Sequence, residues 1–193
     1  MRSVVVVALA LLLTSSVSAQ DTSQHRSRLS PPTETPFLEY VRTAAVRLSL
    51  ADLREAQPGA QREVRLWHGF GLFGVELVII REASPAWRAY TVDPDNSDST
   101  PHFAPLPDTT DWGKRWWAAV NAGMLQLPPY PHRDPPHFGA LDGYSAVLEW
   151  FDGTNYGIAG ANNPDAFCSS DDRRIMAVLN ALALHSLRCL VRN

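Results

Sequence analysis

Imidazole and carboxylate groups gather most densely in Pro131-His132-Arg133-Asp134-Pro135-Pro136-His137, and a set of that composition is chemically suited to zinc or another divalent ion. The pattern around them argues the other way. No H-E-x-x-H is present, Arg133 adds a repelling charge, and a proline-rich loop has no periodicity that would aim three side chains at one point. His132, Asp134 and His137 are therefore weak metal candidates, and a solvated loop with no metal and no cofactor is the expectation. Asp142, Glu149 and Asp152 place three carboxylates near one hairpin, where two meeting across a cleft could share general acid and base work. A strand glutamate more often faces water, and Asp152 is accounted for by a turn, so no catalytic residue is assigned. Gly143-Tyr144-Ser145-Ala146-Val147 begins like a serine-hydrolase elbow but lacks the closing glycine and opens a strand, where the elbow needs a strand-to-helix turn.

A binding surface is the stronger chemical possibility. If Val64 and Leu66 face the helices, alternation along the strand puts Arg65 and Trp67 on the other side of the sheet. The same rule sends Ser145 and Glu149 away from Leu148 and Trp150. An uncovered face carrying Trp67, Arg65 and Glu149 would have the composition of a ligand or partner site. The competing expectation is that Trp67 lies beneath two long loops, residues 94–111 and 127–142, which exceed the usual connection length. Trp116 and Trp117 serve either the core or a stacking platform; neighbours on a helix point about 100° apart, so equal burial of both is not expected.

The elements that must position these groups follow from periodicity. Thr35-Pro36 reads as a cap with proline at the first helical position, and Phe37, Tyr40, Val41, Ala44 and Leu48 recur at helical spacing over residues 36–48. Residues 50–57 extend that helix or form a short second one. Strands are expected at 62–68, 72–82 and 87–93, joined by short breaks that imply antiparallel neighbours. A short helix is expected at 112–124. Five of the fifteen prolines fall between Pro128 and Pro136, which excludes a helix interior or central strand there. Strands at 143–151 and 154–159 flank Asp152-Gly153, a hairpin signal in which both central positions take positive φ. Ser169, with Asp172 three residues on, has capping-box spacing for a last helix. The fold class is α+β, an antiparallel sheet of about five strands with about three helices, expected on one face.

The chain has 193 residues, 45% of them hydrophobic, with six tryptophans, ample for a packed interior. Arg2 followed by an apolar run over residues 4–13 and the small residues Val17-Ser18-Ala19 has the pattern of a secretory signal peptide. The apolar run is about ten residues, half of what a membrane-crossing helix needs. The expected organisation is a signal peptide at 1–19, a flexible leader at 20–34 and a single α+β domain at 35–193, secreted or periplasmic, with no membrane span after cleavage. Formal charge is −3 and becomes −4 when Arg2 is removed, which gives no basic field for a phosphate backbone; nucleic acid is not an expected partner. Cys168 and Cys189 flank a segment that reads as one helix, and 21 residues at about 1.5 Å each would hold them roughly 30 Å apart, so either the helix is broken or the two do not pair; unpaired cysteines are expected, with an intermolecular bridge through Cys189 as the lesser case. The function expected is a non-catalytic exported module that binds a protein or glycan in the cell envelope or extracellular space. A small exported hydrolase using His and carboxylate groups of the long loops is the alternative.

Overall fold

A computed structural model describes residues 36–70, 74–95, 101–129, 145–162 and 168–182. Within them the chain runs α1 (Pro36–Arg47), a 3-10 turn (Leu53–Glu55), β1 (Glu63–His68), β2 (Glu76–Ala83), β3 (Ala86–Val92), β4 (Ala104–Pro105), α2 (Trp112–Asn121), a second 3-10 turn (Met124–Gln126), β5 (Ser145–Phe151), β6 (Tyr156–Asn162) and α3 (Ser170–Ala181). The six strands form one antiparallel sheet in the order β4-β3-β2-β1-β5-β6, which makes the fold α+β as the periodicity indicates. The strand beyond the expected five is β4, two residues inside the polar 94–111 segment and too short to leave a period. No helix among the described residues is long and apolar enough to cross a membrane.

The helices do not share one face. Val64, Leu66, Val78, Ile80, Ala146, Leu148 and Trp150 point to one side of the sheet. There they form a core with Trp112, Trp116 and Ala119 of α2, and with Ile175, Val178 and Leu179 of α3. Trp67, Leu77, Ile79, Val92 and Val147 point to the other side and are covered by Leu38, Val41, Ala44 and Leu48, the apolar stripe of α1 and the turn after it. This corrects the one-face expectation. Its physical consequence is plain in β1, where every residue is buried, because a central strand covered on both sides has no solvated face to alternate with. Each large apolar side chain removed from water in this way contributes about 1.5–3 kcal/mol.

Local signals set the element ends. Ser169 and Asp172 form the expected capping box, the Ser169 Oγ accepting from the Asp172 N–H at 3.1 Å and the Asp172 carboxylate accepting from the Ser169 N–H at 2.9 Å. Of the two expectations for the residues after α1, the short second helix is the one realised, as a single 3-10 turn capped by Asp52. The β5–β6 hairpin falls where Asp152-Gly153 places it, yet only Gly153 has positive φ, 95°. The loop spans Asp152 to Asn155, with the Asp152 carboxylate accepting from the Thr154 and Asn155 N–H groups at 2.8 and 2.7 Å. A four-residue loop held by an aspartate side chain has replaced the two-residue turn.

The cysteine expectation is overturned. Cys168 is disulfide-bonded, and Cys189 is the other cysteine in the sequence. The argument for separation assumed an unbroken helix between them, whereas α3 ends at Ala181 with its cap at Leu182.

Candidate functional site

On the α1 side of the sheet, β1 and β5 are in register so that Arg65 lies directly opposite Glu149 and Trp67 opposite Val147. Alternation thus brings Arg65, Trp67 and Glu149 together, as the sequence indicates. The Trp67 indole N–H donates diagonally to Glu149 Oε2 at 2.8 Å, and the Tyr156 hydroxyl donates to Glu149 Oε1 at 3.1 Å from the neighbouring strand. Arg65 turns the other way. Its Nε donates to Glu63 Oε1 at 2.6 Å and its terminal nitrogen to the Ala51 carbonyl at 2.8 Å, while Arg81 donates to the second Glu63 oxygen. Glu63 therefore joins two arginines below the first 3-10 turn, and both of its oxygens are engaged.

This face is not open. Trp67 is 0% exposed and Arg65 2%, which corrects the picture of an uncovered sheet surface: among the described residues α1 lies over it, joined by Phe103 from the 94–111 loop, while most of the 127–142 loop lies outside the described residues. Glu149 and Tyr156 are half-buried. Burial raises the Glu149 carboxyl above its ordinary range, against the opposing effects of the Arg65 charge and the two donated hydrogen bonds. Burial raises Tyr156 as well, reinforced by the Glu149 charge. The two partners the sequence reading missed, Glu63 and Tyr156, were detectable only in part. Glu63 shares a strand face with Arg65 two residues on, whereas Tyr156 requires knowing the register of β6.

The opposite side presents a different constellation. Trp116 and Trp117 diverge on α2 as their spacing requires: Trp116 is 1% exposed and Trp117 50%. Arg62, immediately before β1, pairs with Glu82 through two parallel bonds, Nε to Oε2 and terminal nitrogen to Oε1, both 3.0 Å. That bidentate geometry fixes the guanidinium plane and holds the Glu82 carboxyl below the usual range. The guanidinium carbon then lies 5.3 Å from the Trp117 ring and 5.8 Å from the Trp87 ring, within cation–π reach of both. Trp87 stacks in turn on Trp116, with ring centroids 5.2 Å apart. Gly113 makes this approach possible, since a Cβ there would stand 2.8 Å from Trp87 Cδ1. A fixed ion pair is thus edged by an exposed indole, an arrangement fit to hold a flat or hydroxyl-rich ligand.

The remaining candidates separate. Asp152 is engaged in its turn, and Ser145 is buried at the start of β5 with its Oγ donating to Asn162 Oδ1 at 2.7 Å. His132, Asp134, His137 and Asp142 lie outside the described residues. No protein-family model, curated protein or solved structure matches this chain.

Proposed function

We propose that this chain is a non-catalytic exported module that binds a protein or glycan in the cell envelope or extracellular space. The observation that carries the reading is the Trp117 indole, half exposed on α2 and backed by the Arg62–Glu82 pair; Trp and Arg are the side chains that most often anchor binding. Export is supported by the charge, apolar run and small residues of positions 1–19, and a disulfide at Cys168 suits an oxidising compartment. The hydrolase alternative has one feature in its favour, the raised Glu149 carboxyl. Both oxygens of that carboxyl already accept protein hydrogen bonds, which supports a structural role in preference to proton transfer.

The test is retention of envelope components on the immobilised full-length exported protein, compared with Trp117→Ala. Loss of an anchoring tryptophan should weaken retention by about 2 kcal/mol, roughly thirtyfold in Kd, while the melting curve moves little because the ring is half exposed. Equal retention by both proteins would remove the platform from the function.

A further inference from the structure

We propose that the Trp117 platform takes an uncharged saccharide, a proposal that rests on the binding-module reading above and names its ligand class. Three observations converge on that chemistry. First, an exposed indole offers a flat apolar face of the kind against which the C–H side of a pyranose ring packs, and Arg62 occupies one side of it at 5.3 Å. Second, Glu82 neutralises Arg62 in place and Asp111 pairs with Lys114, one helical turn before Trp117, so these groups supply donors and acceptors with their charges balanced. Hydroxyl groups both donate and accept and so match such a set, whereas a uronate or phosphate would find its attraction to Arg62 cancelled by Glu82. Two of the five guanidinium N–H groups serve Glu82, and the fork geometry directs the others past it. Asn121, exposed one helical turn beyond Trp117, adds an amide with both donor and acceptor capacity.

Third, among the described residues little exposed apolar surface accompanies Trp117. Among the described residues the exposed large hydrophobics are Trp117 and Val46, and Val46 belongs to α1, against the opposite side of the sheet. A stable protein interface buries about 800 Å² on each partner around an apolar centre. One exposed ring, with the partly buried Trp87 beside the shared Arg62, matches one or two sugar units.

The experiment titrates the full-length exported protein with cellohexaose, chitohexaose, maltohexaose and xylohexaose, with hexagalacturonate as the anionic control, by calorimetry and tryptophan fluorescence. At least one neutral oligomer should bind, with an affinity that changes little between low and high salt because no ion pairing is involved. Trp117→Ala should weaken it tenfold or more, and Trp117→Phe, which retains a smaller ring, should fall between. Glu82→Gln should lower neutral binding and raise binding of hexagalacturonate, since it uncovers the Arg62 charge. Circular dichroism checks that each variant is folded, and the Phe variant decides should the Ala variant not fold. Should no neutral oligomer bind, or should Trp117→Ala and Trp117→Phe bind as wild type does, the saccharide assignment is wrong. Trp117-dependent capture of an envelope protein with no saccharide binding would also overturn it, while leaving the binding module intact; indifference of every ligand to Trp117 would remove both.

Discussion

At the scale of single residues, Glu149 shows how a carboxylate between two strands is held at both oxygens by its neighbours. Its position on the same face as Arg65 and Trp67 was legible from alternation alone. What covers that face was not, because the Trp67–Glu149 bond joins residues 82 apart in the sequence and depends on the β1–β5 pairing. The raised carboxyl has a definite consequence for stability. The folded state holds the proton more tightly than the unfolded chain does, so this group's contribution is fully present below the ordinary glutamate range and is lost as pH rises from there through the folded-state value. Replacing Glu149 with Gln removes that loss. The amide oxygen can accept from the Trp67 N–H, while the amide N–H groups turn to a Tyr156 hydroxyl that now accepts. We expect Glu149→Gln to flatten the decline in urea-unfolding stability from acidic toward neutral pH. An unchanged slope would mean that the Glu149 proton is not linked to folding.

At the scale of elements, helices and strands with strong periods were readable, and their ends were fixed by side chains near in sequence, as Ser169 with Asp172 shows. Elements that depend on distant partners were not. The 94–111 segment hid β4, whose two residues exist as a strand only because Tyr90 and Thr91 stand opposite Pro105 and Ala104. Gly157 is a further case: within a strand a glycine reads as a weakness, yet here it makes room for a neighbour. A Cβ at Gly157 would come within 2.1 Å of Trp150 Cζ2, because the Trp150 ring lies flat across β6 where a side chain would otherwise stand. Gly157→Ala should therefore destabilise the protein by about 1–3 kcal/mol through overpacking, read as a lower denaturation midpoint at unchanged slope. Strand propensity alone would favour alanine, so a rise in the midpoint would show that the ring moves aside freely.

For the whole molecule, the fold class was legible and the layering was not. Residue types along β1 and β2 fit one or two buried faces equally well until α1 is placed, and α1 is distant in sequence from most of what it covers. The disulfide belongs to this scale too, since no local pattern around Cys168 announces a partner beyond the end of α3. Cys168 itself takes φ 51°, a left-handed conformation uncommon for a residue with a side chain, one step before the Ser169 cap. Reducing the bond should lower stability by about 2–4 kcal/mol, seen as a shift between unfolding curves with and without reductant, and the intact monomer should weigh two hydrogens less than its reduced form. Superimposable curves would show that the bond contributes nothing to the fold. A last consequence concerns how the sheet ends. The Leu106 N–H donates inward to the Ala89 carbonyl at 2.9 Å, so by alternation the residue before it would aim its N–H outward, and that residue is Pro105, which has none. A strand arriving from another molecule at β4 itself meets a strand two residues long with no donor at the proline, which makes β4 a poor template for amyloid-like growth.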